Sequence, residues 1–288
     1  MREFVIYADS ACDMSPEILA KWGVPYSSLT FRFDGEDKEY ANGDMVSTEF
    51  YDRMRKGGVA KTAAVNSEMF REGFEKLALE NKDILYLGFS SGLSTTVNSA
   101  RIAAKEVCEA HPECKILIVD TLSASAGYGL MLRAVLDKKE EGASLEECAD
   151  YAESLVLGNC HWFTVDDLVY LKRGGRISPT AAFFGNAMGI KPVMHMDNEG
   201  HLVNVNKVRG RRTAVAALAD KYTELAVTPN KGRIFISHGD CEADAKLLAK
   251  MIEDKHGVKT EIITDVGPVI GAHSGPGTLA LFFVGRER

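Results

Sequence analysis

Hydroxyl groups cluster where apolar runs of this chain turn into helices, and their spacing suits the binding of an anion. The clearest stretch is Ile84 to Ala100, I-L-Y-L-G-F-S-S-G-L-S-T-T-V-N-S-A. Its apolar start, Ile84 to Phe89, reads as a buried strand. The chain then turns through Ser90, Ser91 and Gly92 into a helix that Ser91 or Ser94 can cap. The free N–H groups of such a helix start carry partial positive charge, and neighbouring hydroxyls add donors. Simple helix capping is the competing explanation for the same hydroxyls.

Two other groups of residues can do chemistry. The loop G-P-V-I-G-A-H-S-G-P-G has glycines at 267, 271, 275 and 277, with His273 at its middle. Such a backbone can approach a ligand closely, or simply cross tightly between two strands. It has neither the Gly-Lys-Ser/Thr of a nucleotide phosphate loop nor the placement of a dinucleotide fingerprint. The basic runs Lys172-Arg173-Gly174-Gly175-Arg176 and Arg209-Gly210-Arg211-Arg212 stand out in a chain of net charge −7. Guanidinium groups suit a carboxylate or phosphate, although solvated basic faces with Asp166 and Asp167 as partners are the plainer reading. A serine-hydrolase elbow is not matched, because Gly88-Phe89-Ser90-Ser91-Gly92 follows G-x-S with S-G. The seven histidines are dispersed, without metal-ligand spacing.

These residues need a scaffold, and the apolar runs supply one. Phe4–Ala8, Ile84–Phe89 and Lys115–Val119 read as strands, each ending in a polar tip: Asp9-Ser10, Ser90-Ser91 and Asp120-Thr121. Ser15-Pro16-Glu17 starts a helix between the first two. Asp34-Gly35 marks a hairpin joining Ser28–Phe33 to Lys38–Tyr40, and Lys61 to Val65 reads as a connector. Strands alternating with helices predict a parallel sheet whose ligand crevice lies beyond the strand C-termini. From about Cys160 the pattern changes, with an antiparallel pair around the Asn198-Glu199-Gly200 turn and a terminal strand from Leu279 to Val284. The uncharged segment Thr180 to Ile190 reads first as core. Its small residues alternatively leave a groove beside Phe183, Phe184 and Met188 that suits an elongated apolar ligand.

Composition bounds the function. The chain has 288 residues, enough for one large or two modest domains, with 45% hydrophobic and 26% charged residues. The acidic balance argues against a general nucleic-acid surface. No apolar run is long enough for a stable membrane span, and the N-terminus enters F-V-I-Y-A-D-S directly. Six scattered cysteines without a C-x-x-C pair then fit reduced thiols and a cytoplasmic location.

Taken together, the motifs resemble the DegV family over the whole chain. The resemblance rests on Asp9-Ser10-x-x-Asp13, Lys61-Thr62, Ser90-Ser91-x-Leu93-Ser94, Asp120-Thr121 and Leu171 to Ile177. It continues through Lys191-Pro192, Lys207 to Arg211 and the glycine-rich run around His273. The resemblance implies an α/β, two-domain DegV-like fold. A parallel-sheet N-terminal domain (1–160) would join a mixed-sheet C-terminal domain (161–288), with a lipid site between them. It implies that a long-chain fatty acid is bound, its carboxylate held by Thr62 and Ser94 with His273 and Thr95 close by. Arg209 and Arg176 would face phosphate or a partner, and Phe183, Phe184, Met188 and Ile190 would border the acyl tunnel. The chain departs from the family pattern at Thr62-Ala63-Ala64, where T-S-Q is usual, at Leu93-Ser94-Thr95-Thr96, where L-S-G-T is usual, and at Thr121, where the third strand tip usually has serine. The implied role is a non-enzymatic carrier without a further cofactor. It would present the carboxylate to a separate fatty-acid kinase and carry the acyl-phosphate toward phospholipid synthesis. Rival readings are an acyl hydrolase using Ser91 or Ser94 with His273, and a carrier of another anionic amphiphile.

Overall fold

The computed structural model describes residues 2–177 and 189–288. In the first part of the chain lie β1 (Phe4–Asp9), β2 (Tyr26–Ser27), β3 (Thr30–Phe33), β4 (Tyr40–Ala41), β5 (Ala60–Ala63), β6 (Asp83–Gly88) and β7 (Ile116–Asp120). Later come β8 (Asn159–Thr164), β9 (Ile190–Met196), β10 (Leu202–Arg209), β11 (Ile234–His238), β12 (Ile262–Asp265) and β13 (Leu279–Val284). They form three sheets.

The first sheet, ordered β2-β1-β6-β7, is parallel throughout, as the alternation of strands and helices predicts. β1 is buried along its whole length and β6 nearly so, as expected of a parallel sheet covered on both faces. Its helices begin where the sequence signals a start. Ser15 accepts a hydrogen bond from the Ile18 N–H at 3.3 Å, with Pro16 at the first helical position. Ser144 and Glu147 form a reciprocal capping box on the helix Leu145–Leu155.

The second sheet is mixed, ordered β10-β9-β8-β13-β11-β12, with only β11–β12 parallel. Alternation along its strands separates two apolar faces. Cys160, Trp162, Ile234, Ile236, Leu279, Leu281 and Phe283 turn outward and form a core with the helices Arg211–Leu225 and Glu242–His256. Phe163, Met194, Met196, Phe235, Ala280 and Phe282 turn inward and join the core of the first 160 residues. The main core therefore crosses from one sheet to the other.

The third sheet, antiparallel β4-β3-β5, contains a strand where the sequence suggests only a connector. β5 pairs with β3, setting Thr62 opposite Phe31. The glycine-rich stretch also departs from expectation, since Pro268–Ser274 is a short helix with Pro268 at its first position. Gly271 lies inside it because a Cβ there would stand 2.4 Å from the Tyr51 hydroxyl.

Candidate functional site

A cavity of about 520 Å³ lies between the strand C-termini of the parallel sheet and the inward face of the mixed sheet. That is an ordinary size for a small-molecule site. His161, Phe163, Ala280 and Phe282 floor it, all on one face of paired β8 and β13. Phe89 and Leu93 cover it from the β6 tip, and Leu29 and Val269 close the side. Thr62 and Thr95 bracket one end, where side chains are half-buried or exposed; Ser237, Val266 and Met196 are fully buried. The cavity thus runs from an accessible polar mouth into a buried interior whose walls are largely, not wholly, apolar.

Four separate segments assemble the mouth. Thr62 on β5 shares a hydrogen bond of 2.8 Å with Nε2 of His273, on the last turn of the short helix. Burial, and then the charge of Arg176, push the His273 pKa down to about 4, so the ring is neutral at pH 7. Nδ1 of His273 has no partner among the described residues. Ser94 accepts the Thr96 N–H at 3.2 Å from one residue before the N-cap, which is Thr95 and makes no side-chain cap bond, so neither Ser91 nor Ser94 is the cap of this helix. Arg176 donates from Nε and Nη2 to the Leu93 carbonyl, at 3.2 and 3.1 Å, and from Nη1 to Gly174 at 2.5 Å. This leaves one hydrogen on each terminal nitrogen. Among the described wall residues, Arg176 alone is cationic at neutral pH.

Thr62, Ser94, Thr95 and His273, which the family resemblance groups, line one cavity, and Arg176, which the resemblance set apart with Arg209, lines it with them. Arg209 and Ile190 do not. They face each other at the ends of β10 and β9, Arg209 exposed and Ile190 41% exposed, and neither lines the cavity formed by the described residues. Ile190 occupies an exposed strand end, where β9 begins. Phe183, Phe184 and Met188 lie outside the described residues. Asp166 pairs with Lys191 at 2.6 Å and, more loosely, with Arg211 at 3.6 Å, which is the plain structural use of those charges.

The polar strand tips behave unequally. Asp9 is fully buried and accepts hydrogen bonds from Ala11 N–H (2.9 Å), Phe89 N–H (3.1 Å) and the Tyr86 hydroxyl (2.6 Å). Thr121 is buried too, donating to the Gly88 carbonyl at 2.7 Å. Only the Ser91–Thr95 tip remains on the cavity wall. Sequence reasoning missed the inner polar group: Ser125 donates to Asp13 Oδ2 at 2.6 Å and lies 2.9 Å from the Ser237 hydroxyl. Its members are more than a hundred residues apart, and the only local signal is a serine placed at a helix start.

Gly174 is required for the mouth. A Cβ there would stand 2.1 Å from Nδ1 of His273. Gly174→Ala is therefore expected to displace the imidazole and break its bond to Thr62, at a cost of about 1–3 kcal/mol of stability from overpacking. The Gly174→Ala/His273→Ala double variant should be destabilised by less than the sum of the two single substitutions. Urea denaturation of the three variants checks this, and full stability in Gly174→Ala would count against it.

A family described as "Uncharacterised protein, DegV family" matches residues 3–286. A DegV domain-containing protein of Clostridium perfringens is 40% identical over 100% of this chain and 99% of its own length. A protein of Thermotoga maritima named "Fatty acid-binding protein" is 33% identical, covering 98% of each chain. The solved structure of a fatty-acid-binding DegV family protein from Thermus thermophilus superposes with a TM-score of 0.89. It is 28% identical over 99% of this chain and 100% of that one.

Proposed function

The chain belongs to the DegV family, and we propose that it binds one long-chain fatty acid with the acyl chain in the cavity and the carboxylate at the mouth. The observation carrying this reading is the cavity's gradient, from Thr62, Ser94, His273 and Arg176 to walls of Phe89, Phe163, Met196 and Phe282. The names of its relatives point to the same ligand. Each buried methylene contributes about 0.8 kcal/mol, so ~15 of them supply roughly 12 kcal/mol before ordering costs. A head-group hydrogen bond contributes nearer ~1 kcal/mol, or about 1.5–3 kcal/mol when charged. Affinity comes from the tail, and the mouth fixes which end faces out.

An outward carboxylate is what a phosphorylating enzyme needs. We therefore propose that the protein presents its ligand to a separate fatty-acid kinase and carries the acyl-phosphate onward toward phospholipid synthesis. Arg176 would offer its two remaining hydrogens to the added charge, and exposed Arg209 would lie toward the partner. A hydrolytic reading is disfavoured, because Nε2 of His273 pairs with Thr62 and Ser94 is engaged with Thr96 (2.8 Å between hydroxyls).

Mass spectrometry of the protein purified from a bacterial host, native and then solvent-extracted, tests the first step. A near-stoichiometric long-chain fatty acid is expected. An empty protein that also refuses added fatty acid would sink the reading. Thr62→Ala and Ser94→Ala are expected to lower kinase-dependent phosphorylation several-fold while lipid retention changes little. Equal loss of both would refute the division between head and tail.

A further inference from the structure

The buried wall of the cavity is not purely apolar. Ser125, Ser237, Ser274 and Thr278 all lie on its wall, brought there by a helix start, β11, the short helix and the approach to β13. Thr278 is satisfied internally, donating to the Gly275 carbonyl at 2.7 Å. Ser274 is only 5% exposed, and its hydroxyl has no partner among the described residues. Ser237 is fully buried and bonds to Ser125, whose own hydrogen goes to Asp13. In that arrangement Ser237 donates to Ser125 and keeps its own lone pairs open. If Asp13 holds a proton the chain reverses, and Ser237 keeps a free hydrogen instead. In either state Ser237, a wall residue of the cavity, keeps unused hydrogen-bonding capacity.

A saturated tail covering these hydroxyls would leave them unpaired, at a cost of about 1–3 kcal/mol each. We propose that Ser237 and Ser274, with Ser125 behind them, form a second polar subsite for an oxygen carried on the acyl chain. The preferred ligand class is then hydroxy or oxo fatty acids over their unsubstituted parents. This inference rests on the fatty-acid reading above and adds a requirement on the chain.

Competition settles it. The delipidated protein is offered equimolar stearic acid and its 8-, 10- and 12-hydroxy derivatives, and bound species are quantified by native mass spectrometry. At least one hydroxy acid is expected to be retained about tenfold over stearic acid, the ratio for ~1.4 kcal/mol. In Ser237→Ala and in Ser274→Ala that ratio is expected to fall toward one, with stearic acid binding unchanged or tighter. Each variant checks the other should one fold poorly. Equal or weaker retention of every hydroxy acid, or a ratio unmoved by both substitutions, would overturn the subsite alone. Uptake of neither class would overturn the fatty-acid reading and the subsite together.

Discussion

Raising the pH from 5 to 8 is expected to destabilise this fold by several kcal/mol, the reverse of the usual behaviour of carboxylates. The cause is Asp13, whose pKa burial pushes up to about 7, against the hydrogen bond from Ser125 that lowers it. Asp9 moves the same way, to about 6, again through burial. A carboxyl with a raised folded pKa binds its proton more tightly in the native state, so the stabilisation is complete below the unfolded pKa and disappears as pH climbs to the folded value. Moving Asp13 from 3.8 to about 7 corresponds to about 4 kcal/mol, about half of it lost between pH 5 and pH 7. Below about pH 4 the slope reverses. Asp137 is raised by burial but held low overall by Arg233 and Arg133, and it loses those pairings on protonation. Chemical denaturation at pH 5, 6, 7 and 8 checks the trend, and Asp13→Asn should remove most of the slope. A flat or rising stability across that window would show that Asp13 stays ionised in the folded protein.

The position of Asp13 gives this sensitivity a structural meaning. The residue belongs to the first sheet's loop, yet Thr264 of β12 donates to its carbonyl at 3.0 Å and Ser237 of β11 is one hydroxyl away. Deprotonation therefore stresses the seam along which the cavity lies. Asp13 and Ser125 both have φ of +52°, uncommon outside glycine, so the packing around them enforces this seam.

Much of the scaffold was legible because it is written in local periodicity. The strand–helix alternation, Ser15-Pro16, and the antiparallel return after Asn198-Glu199-Gly200 each depend on neighbours within a few residues. Thr62, Ser94 and His273 were legible as a group through family resemblance. Their spacing could not join them, since the Thr62–His273 bond spans 211 residues. β5 was missed because its four residues, A-K-T-A, carry no apolar alternation and become a strand only by pairing with β3. The helix at Pro268 was hidden by its glycines, which packing against Tyr51 demands. The complete burial of Asp9 was not legible. Its partners Tyr86 and Phe89 lie 77 and 80 residues on, and nothing near Asp9 announces them.

Asp9→Ala is expected to cost about 3–5 kcal/mol of stability, the loss typical when one partner of a buried charged network is removed. Three donors would lose their acceptor: Ala11 N–H, Phe89 N–H and the Tyr86 hydroxyl. The Tyr128 hydroxyl is spared because it also donates to the Leu87 carbonyl. Asp9→Asn should cost less, since it keeps one acceptor oxygen and the shape of the side chain. The consequence reaches the site through Phe89, the residue that starts the turn carrying Ser91 and Ser94 and that itself covers the cavity. A ligand bound against Phe89 and Ser94 stabilises the native state by mass action, so saturating fatty acid should recover part of the loss in Asp9→Ala. Urea denaturation with and without ligand measures both quantities. A loss below about 1 kcal/mol would mean that water replaces the carboxylate at the β1 tip. Full loss with no recovery would mean that the turn no longer forms the mouth, and that Asp9 assembles the site as well as the sheet.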